Sequence, residues 1–185
     1  VNTAAIILAA GESSRMGRPK ALLPFRGGTF LSVLAKTLGA HCSTVIAVFG
    51  ANAEALVSAA PAGVVPVVNH GYKLGMLTSL QAGLRALAPE SRGRVLFTLV
   101  DHPAIGVATV DALIRSHAPI AIPRSSGKRG HPSRSGKTSS TSFLRNRRRP
   151  GFTTSSTAMP PGSSTSTSTI RAFMTISTMP TPTGT

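Results

Sequence analysis

Acid is what this chain lacks most. Its 185 residues carry 20 lysines and arginines against five carboxylates, a formal net charge of +15. The five acids, Glu12, Glu54, Glu90, Asp101 and Asp111, all precede position 112. Aromatics are scarce as well, at 4% of residues with one tyrosine and no tryptophan. Single-stranded nucleic acid is held by cations interleaved with stacking rings. A charge excess without rings therefore does not make nucleic acid the expected partner. A lone cysteine, Cys42, excludes an intrachain disulfide and a thiolate metal cluster. It suits a reducing, cytoplasmic compartment and a packing role near a helix end. No apolar run approaches the roughly 20 residues of a membrane span, so no membrane partner is expected. The first residues lack a basic stretch followed by an apolar one, so no secretory leader is expected either.

Short apolar runs alternating with helical stripes occupy the first two thirds of the chain. Residues 4–10 read as a buried strand, 44–49 as a second, 64–68 as a third and 95–100 as a central one. Pro66 demotes the third towards an edge. Residues 29–40 carry a helical stripe behind Thr29 as N-cap. Further helices are expected at 53–60 behind Asn52, at 77–87, and from Thr109 to about His117. A short strand is expected at 119–122. Strand–helix alternation of these lengths predicts an α/β fold with a doubly wound, mostly parallel sheet. Ligands in such sheets lie outside the carboxyl ends of the strands, which puts the loop after residue 10 and Asp101 at one edge.

That first loop reads "AAGESSRMGRPKALLPF" (9–25). A glycine directly after a strand lets the backbone turn tightly and approach a ligand. Successive N–H groups there cradle phosphate oxygens, and Arg15 and Lys20 add a planar fork and a point charge. The loop is suited to a triphosphate. It is not a dinucleotide fingerprint, because G-x-G-x-x-G is absent. The run "HPSRSGKT" (131–138) is not a P-loop, because His131 stands where its first glycine is required.

Residues 8–27, "LAAGESSRMGRPKALLPFRG", closely resemble the signature of the molybdopterin nucleotidyltransferase-like (MobA-like) family. "NHGYKLGMLTSLQAGL" (69–84), "TLVDHPAI" (98–105) and "GKRGHP" (127–132) look like its further site segments. The resemblance runs in register over residues 4–132 and implies a Rossmann-like nucleotidyltransferase fold in a domain spanning 1–132. It implies transfer of a nucleoside monophosphate from a triphosphate to a phosphorylated small molecule such as molybdopterin, releasing pyrophosphate. Leu8, Ala9, Ala10, Gly11, Arg15, Lys20, Asn69, Gly75 and Ser79 would bind the nucleotide. Arg15, Lys20 and Asp101 would serve the chemistry, Asp101 holding Mg²⁺, and Gly130, His131 and Pro132 would meet the acceptor. The Ala-Ala-Gly form resembles the cytidylyl branch, because a methyl group at Ala10 leaves room for the smaller base; CTP is then expected ahead of GTP. The alternatives are transfer to a phosphosugar or alcohol phosphate, a basic nucleic-acid binder, and an inactive remnant. Of the 20 basic residues, 13 lie within 1–132, where the net charge is only +8.

After Pro132 the resemblance stops. Residues 133–185 hold 25 serines and threonines, seven lysines and arginines, and no acid. Read literally, this is a low-complexity, disordered tail, and the fold lacks its last strand and helix. Serine TCN and threonine ACN codons read one base earlier become NTC and NAC. These encode Val, Leu, Ile or Phe, and Asp, Asn, His or Tyr. "KTSSTSF" (137–143) then permits D-L-F-D-E-L, and "STSTIRAFMTIST" (166–178) permits V-D-V-D-D-P-G-I-Y-D-D-I-D, as the family would have there. The expectation is a single frame slip near the codons of Pro132 and Ser133.

Overall fold

The computed structural model describes residues 2–13, 17–125 and 128–145. In chain order the strands of its main sheet and its α-helices are β1 (Ala4–Ala9), α1 (Phe30–Gly39), β2 (Thr44–Phe49), α2 (Ala53–Ser58), β3 (Val64–Val68), α3 (Met76–Ala86), β4 (Arg94–Leu99), α4 (Val107–Arg115), β5 (Ile120–Ala121), β6 (Ser133–Gly136) and α5 (Lys137–Arg145). They form a six-stranded sheet in the order β3-β2-β1-β4-β6-β5. The first four strands are parallel, with Ala4 opposite both Thr44 and Val95, and β6 runs antiparallel to β4 and β5. Among the described residues no helix is long and apolar enough to cross a membrane.

All six residues of β1 are buried because helices cover both faces of the sheet. Ala5, Ile7 and Ala9 pack with Leu31, Leu34 and Leu38 of α1, Leu56 of α2 and Val110 and Leu113 of α4. Ala4, Ile6 and Leu8 pack on the other face with Leu80 and Leu84 of α3, and Phe143 and Leu144 of α5 press on that cluster. The period of two along a strand divides the two clusters. Each fully buried leucine stabilises the fold by about 1.5–3 kcal/mol. Cys42 packs beyond α1, and burial pushes its thiol up to about 11. A protonated thiol is a poor nucleophile, as a packing role requires.

The expected elements are present with small shifts. Thr29 caps α1 through a reciprocal pair: Ser32 N–H donates to Thr29 Oγ1 at 3.1 Å, and Thr29 N–H donates to Ser32 Oγ at 2.8 Å. β3 is an edge strand, as Pro66 predicts. Three expectations are corrected. Asn52 stands before α2 in left-handed backbone (φ 56°) and its side chain makes no capping bond. The α4 helix starts at Val107 behind Gly106, not at Thr109. Residues 133–145 form a strand and a helix of the main sheet, so the fold continues at least 13 residues past the expected boundary at 132. Residues 146–185, including Arg147–Arg149 and the 166–178 run, lie outside the described residues.

Because the Thr29–Ser32 pair satisfies the first N–H groups of a helix that supplies three core leucines, Thr29→Ala is expected to cost about 1 kcal/mol. The urea midpoint should fall with an unchanged slope. An unchanged midpoint would show the cap to be energetically silent.

Candidate functional site

The sheet order reverses beside β1: β2 and β3 extend one way and β4 the other. Connections leave in opposite directions at this point and open a crevice above the strand ends. There Val100 N–H donates to Leu8 O at 3.0 Å, which fixes the end of β4 against the end of β1. A cleft of about 830 Å³ lies above it, a size suited to a ligand of nucleotide dimensions.

The cleft gathers most of the expected nucleotide residues. Leu8, Ala9, Ala10 and Gly11 line it along the end of β1, Lys20 and Asp101 stand together at its edge, and Ser79 reaches it from α3. Lys20 Nζ donates to Asp101 Oδ2 at 2.9 Å, with both side chains 36% exposed. The Lys20 N–H is held by Ser13 Oγ at 3.0 Å, so the first loop folds back on itself. Partial burial pushes the Asp101 carboxyl up, but the Lys20 hydrogen bond and charge, with His102 nearby, pull it below the ordinary aspartate value on balance. Asp101 is thus ionised at neutral pH. His102 Nε2 lies 3.7 Å from its other oxygen.

Two expected residues shape the site from outside the cleft. Asn69 is buried and its amide donates to Thr78 Oγ1 at 2.9 Å and Ser79 Oγ at 3.0 Å, while its Oδ1 accepts from Gly71 N–H. It pins the 70–78 segment to α3. Gly75 adopts φ 105° and ψ 173° immediately before α3. Only glycine takes this conformation without strain, and it turns the chain so that Met76 and Ser79 face the cleft. Gly50, at the end of β2, allows Tyr72 to close in: a side chain there would lie 2.6 Å from Tyr72 and 2.7 Å from Ala10 O.

The expected acceptor loop stands beside Asp101 and does not line the cleft. The His131 ring packs against His102 with centroids 5.0 Å apart. Gly130 N–H donates to Pro123 O, and Pro132 is buried. Burial first, then the His102 charge, lowers the His131 pKa, against raising contributions from the Phe97 backbone and Asp101. Arg15 lies outside the described residues, as does Met16. Sequence reasoning missed Glu12, Tyr72 and Lys73, which also line the cleft. Glu12 and Lys73 face each other at 3.8 Å across its mouth. The signal for them was their membership in the two loops already singled out.

The comparisons with known proteins agree with this fold. A family model described as "MobA-like NTP transferase domain" matches residues 5–150. The chain is 40% identical over 141 residues to "Nicotine blue oxidoreductase" of Paenarthrobacter nicotinovorans, covering 69% of this chain and 67% of that protein. It is 36% identical over 119 residues to "Probable molybdenum cofactor guanylyltransferase" of Mycobacterium ulcerans (strain Agy99), covering 63% of this chain. The chain spans only 57% of that relative's length. Among solved structures, Rv0371c from Mycobacterium tuberculosis H37Rv superimposes with a TM-score of 0.71 at 28% identity, over 82% of this chain and 79% of that one. A second structure of that protein is a complex with manganese: TM-score 0.67, 27% identity, 79% of this chain and 77% of that one.

Lys20→Met is expected to raise the Asp101 pKa, because burial then acts without its counter-charge. In the native protein the depressed pKa contributes stability that is present above the unfolded value and lost as pH falls through the folded one. The pair is over a third exposed, so this contribution is at most about 1 kcal/mol. Carboxyl-carbon NMR titration of both proteins measures it, and identical Asp101 midpoints would refute the coupling.

Proposed function

Because this chain belongs to the MobA-like NTP transferase family, with nucleotidyltransferase relatives, we propose that its cleft binds a nucleoside triphosphate and transfers the nucleoside monophosphate to a phosphorylated small molecule. The observation that carries the reading is the Lys20–Asp101 pair poised across the switch point. The triphosphate lies over the Ala10–Gly11 turn, where backbone N–H groups meet its oxygens. Lys20 moves from Asp101 onto the phosphates, and Arg15 adds a second cation. Catalysis of this kind is positioning and charge neutralisation at the departing pyrophosphate. The base and ribose lie towards Tyr72, Met76 and Ser79. The acceptor phosphate, molybdopterin's in the family resemblance, approaches from the His131 side.

A divalent cation fits the donor chemistry. Among the described residues no trio of His, Cys, Asp or Glu converges to hold a metal by itself. Asp101 offers one ionised oxygen donor group at the lip. Mg²⁺ is bound in this way, by one or two carboxylates with substrate phosphates and water. When bound it neutralises phosphate charge. As to the nucleotide, the Ala10 methyl favours CTP, whereas the relatives named as guanylyltransferases favour GTP. One methyl carbon weighs less than a set of relatives, so GTP is the first to try.

Calorimetric titration with GTP and CTP, with and without Mg²⁺, tests the reading. Lys20→Ala is expected to weaken triphosphate binding by about 10–100-fold, the value of one charge-assisted hydrogen bond. Asp101→Asn should abolish the gain in affinity from Mg²⁺ and leave metal-free binding no weaker, because Lys20 is then free to meet the phosphates. If both variants bind as the native protein does, the proposal fails.

The 40% identity to an oxidoreductase favours one second reading. On that reading the cleft would hold a nicotinamide dinucleotide, although its first loop lacks the G-x-G-x-x-G spacing of dinucleotide sites, and a hydride, with a proton from water, would reduce a dye such as the one in that relative's name. Absorbance of NADH or NADPH with such a dye present separates the two: steady oxidation without pyrophosphate release supports the reductase.

A further inference from the structure

The strand that follows Pro132 is anomalous for its place. β6 lies between β4 and β5, covered on both faces, where a strand is normally apolar throughout. Its sequence is Ser-Arg-Ser-Gly. Ser133, Arg134 and Ser135 are 5%, 3% and 1% exposed, and Ser140 of α5 is 0% exposed. The hydroxyls of Ser135 and Ser140 turn to each other at 2.9 Å. Arg134 donates through Nη2 to Ala118 O, and its buried Nε has no partner. Burial first, then repulsion from Arg94, lowers its pKa. A buried cation without a carboxylate is among the costliest features a core can hold.

Burial and codon arithmetic are independent, yet they coincide here. Read one base earlier, TCN serines at 133, 135 and 140 become Val, Leu, Ile or Phe. A CGN arginine at 134 becomes Ser, Pro, Thr or Ala, which removes the buried charge. Phe143, packed on the β1 cluster, remains one of Val, Leu, Ile or Phe. Thr141, exposed on α5, becomes Asp, Asn, His or Tyr. The buried positions Ser133, Arg134, Ser135 and Ser140 turn apolar or small and exposed Thr141 stays polar; exposed Ser142 stays polar when its codon is AGY, which the shift reads as Lys, Glu or Gln.

We infer that the working form of this protein continues past Pro132 in the other frame, so that β6 and α5 are an ordinary apolar strand and amphipathic helix. The rival explanation is an anion site. Arg94, His117, Arg134 and Lys137 line a polar cavity of about 270 Å³, and a phosphate there would satisfy Arg134. The Ser135–Ser140 pair and the serine at 133 favour the frame explanation, because no anion accounts for them.

Two measurements test the inference. Tryptic mapping of the protein from its source decides the frame. The written frame releases a peptide Gly130–Arg134, whereas the shifted one has no cleavage after position 134. Recombinant full-length chain, as written and as Ser133→Val/Arg134→Thr/Ser135→Val/Ser140→Leu, decides whether burial is the reason. The substituted chain should unfold about 5–10 °C higher, or fold where the written chain does not. Inorganic phosphate should leave the written chain's midpoint unchanged. A native peptide ending at Arg134, a substituted chain that is no more stable, or a phosphate-dependent rise would overturn the inference.

Discussion

The parallel pairing of β1 with both β2 and β4 is the constraint on which the rest of the molecule depends. A strand paired on both edges and covered on both faces has no free surface except its ends. The carboxyl end opens where connections to β2 and β4 part in opposite directions. The described residues that line the cleft are brought there as a consequence of sheet order. The leucines of α1 and α3 hold the strand in place, and their burial supplies the stability against which the open end is tolerated.

At that open end two charges of opposite sign stand within hydrogen-bond distance, each a third exposed. Such a pair contributes little to stability because water competes for both partners. For the same reason either partner is easily recruited by a ligand of higher charge. The arrangement is stiffened from behind. Asn69 spends its whole amide on Thr78, Ser79 and Gly71, and Gly75 sets the direction of α3 with a backbone conformation closed to other residues. Neither residue lines the cleft, yet they determine where the residues that do so can stand.

The segment after Pro132 shows how composition and fold can disagree. Serines, an arginine and a threonine-rich run read as a solvated tail, because each residue alone prefers water. The sheet nevertheless has room for one more strand beside β4, whose unpaired edge would otherwise leave a row of N–H and C=O groups unsatisfied. Backbone pairing does not depend on side-chain identity, so β6 forms there despite its residues. The side chains then carry the cost, in a guanidinium nitrogen without a partner and hydroxyls bonded to one another.

Much of this protein was legible without coordinates. Local patterns carried it: the buried run at β1, the Thr29 cap, the edge position of Pro66, and the glycine with basic residues after β1. Their effects act within a few residues and survive in a linear reading. The strand-end rule for such sheets likewise placed the loop after residue 10 and Asp101 at one edge. Tertiary structure alone decided the rest. It set Lys20 against Asp101 across 81 positions, turned Asn69 inward, brought Glu12 and Lys73 to the cleft mouth, and drew residues 133–145 into the sheet. These outcomes depend on which distant groups share a low-dielectric space, and that is a property of packing which no sequence window contains.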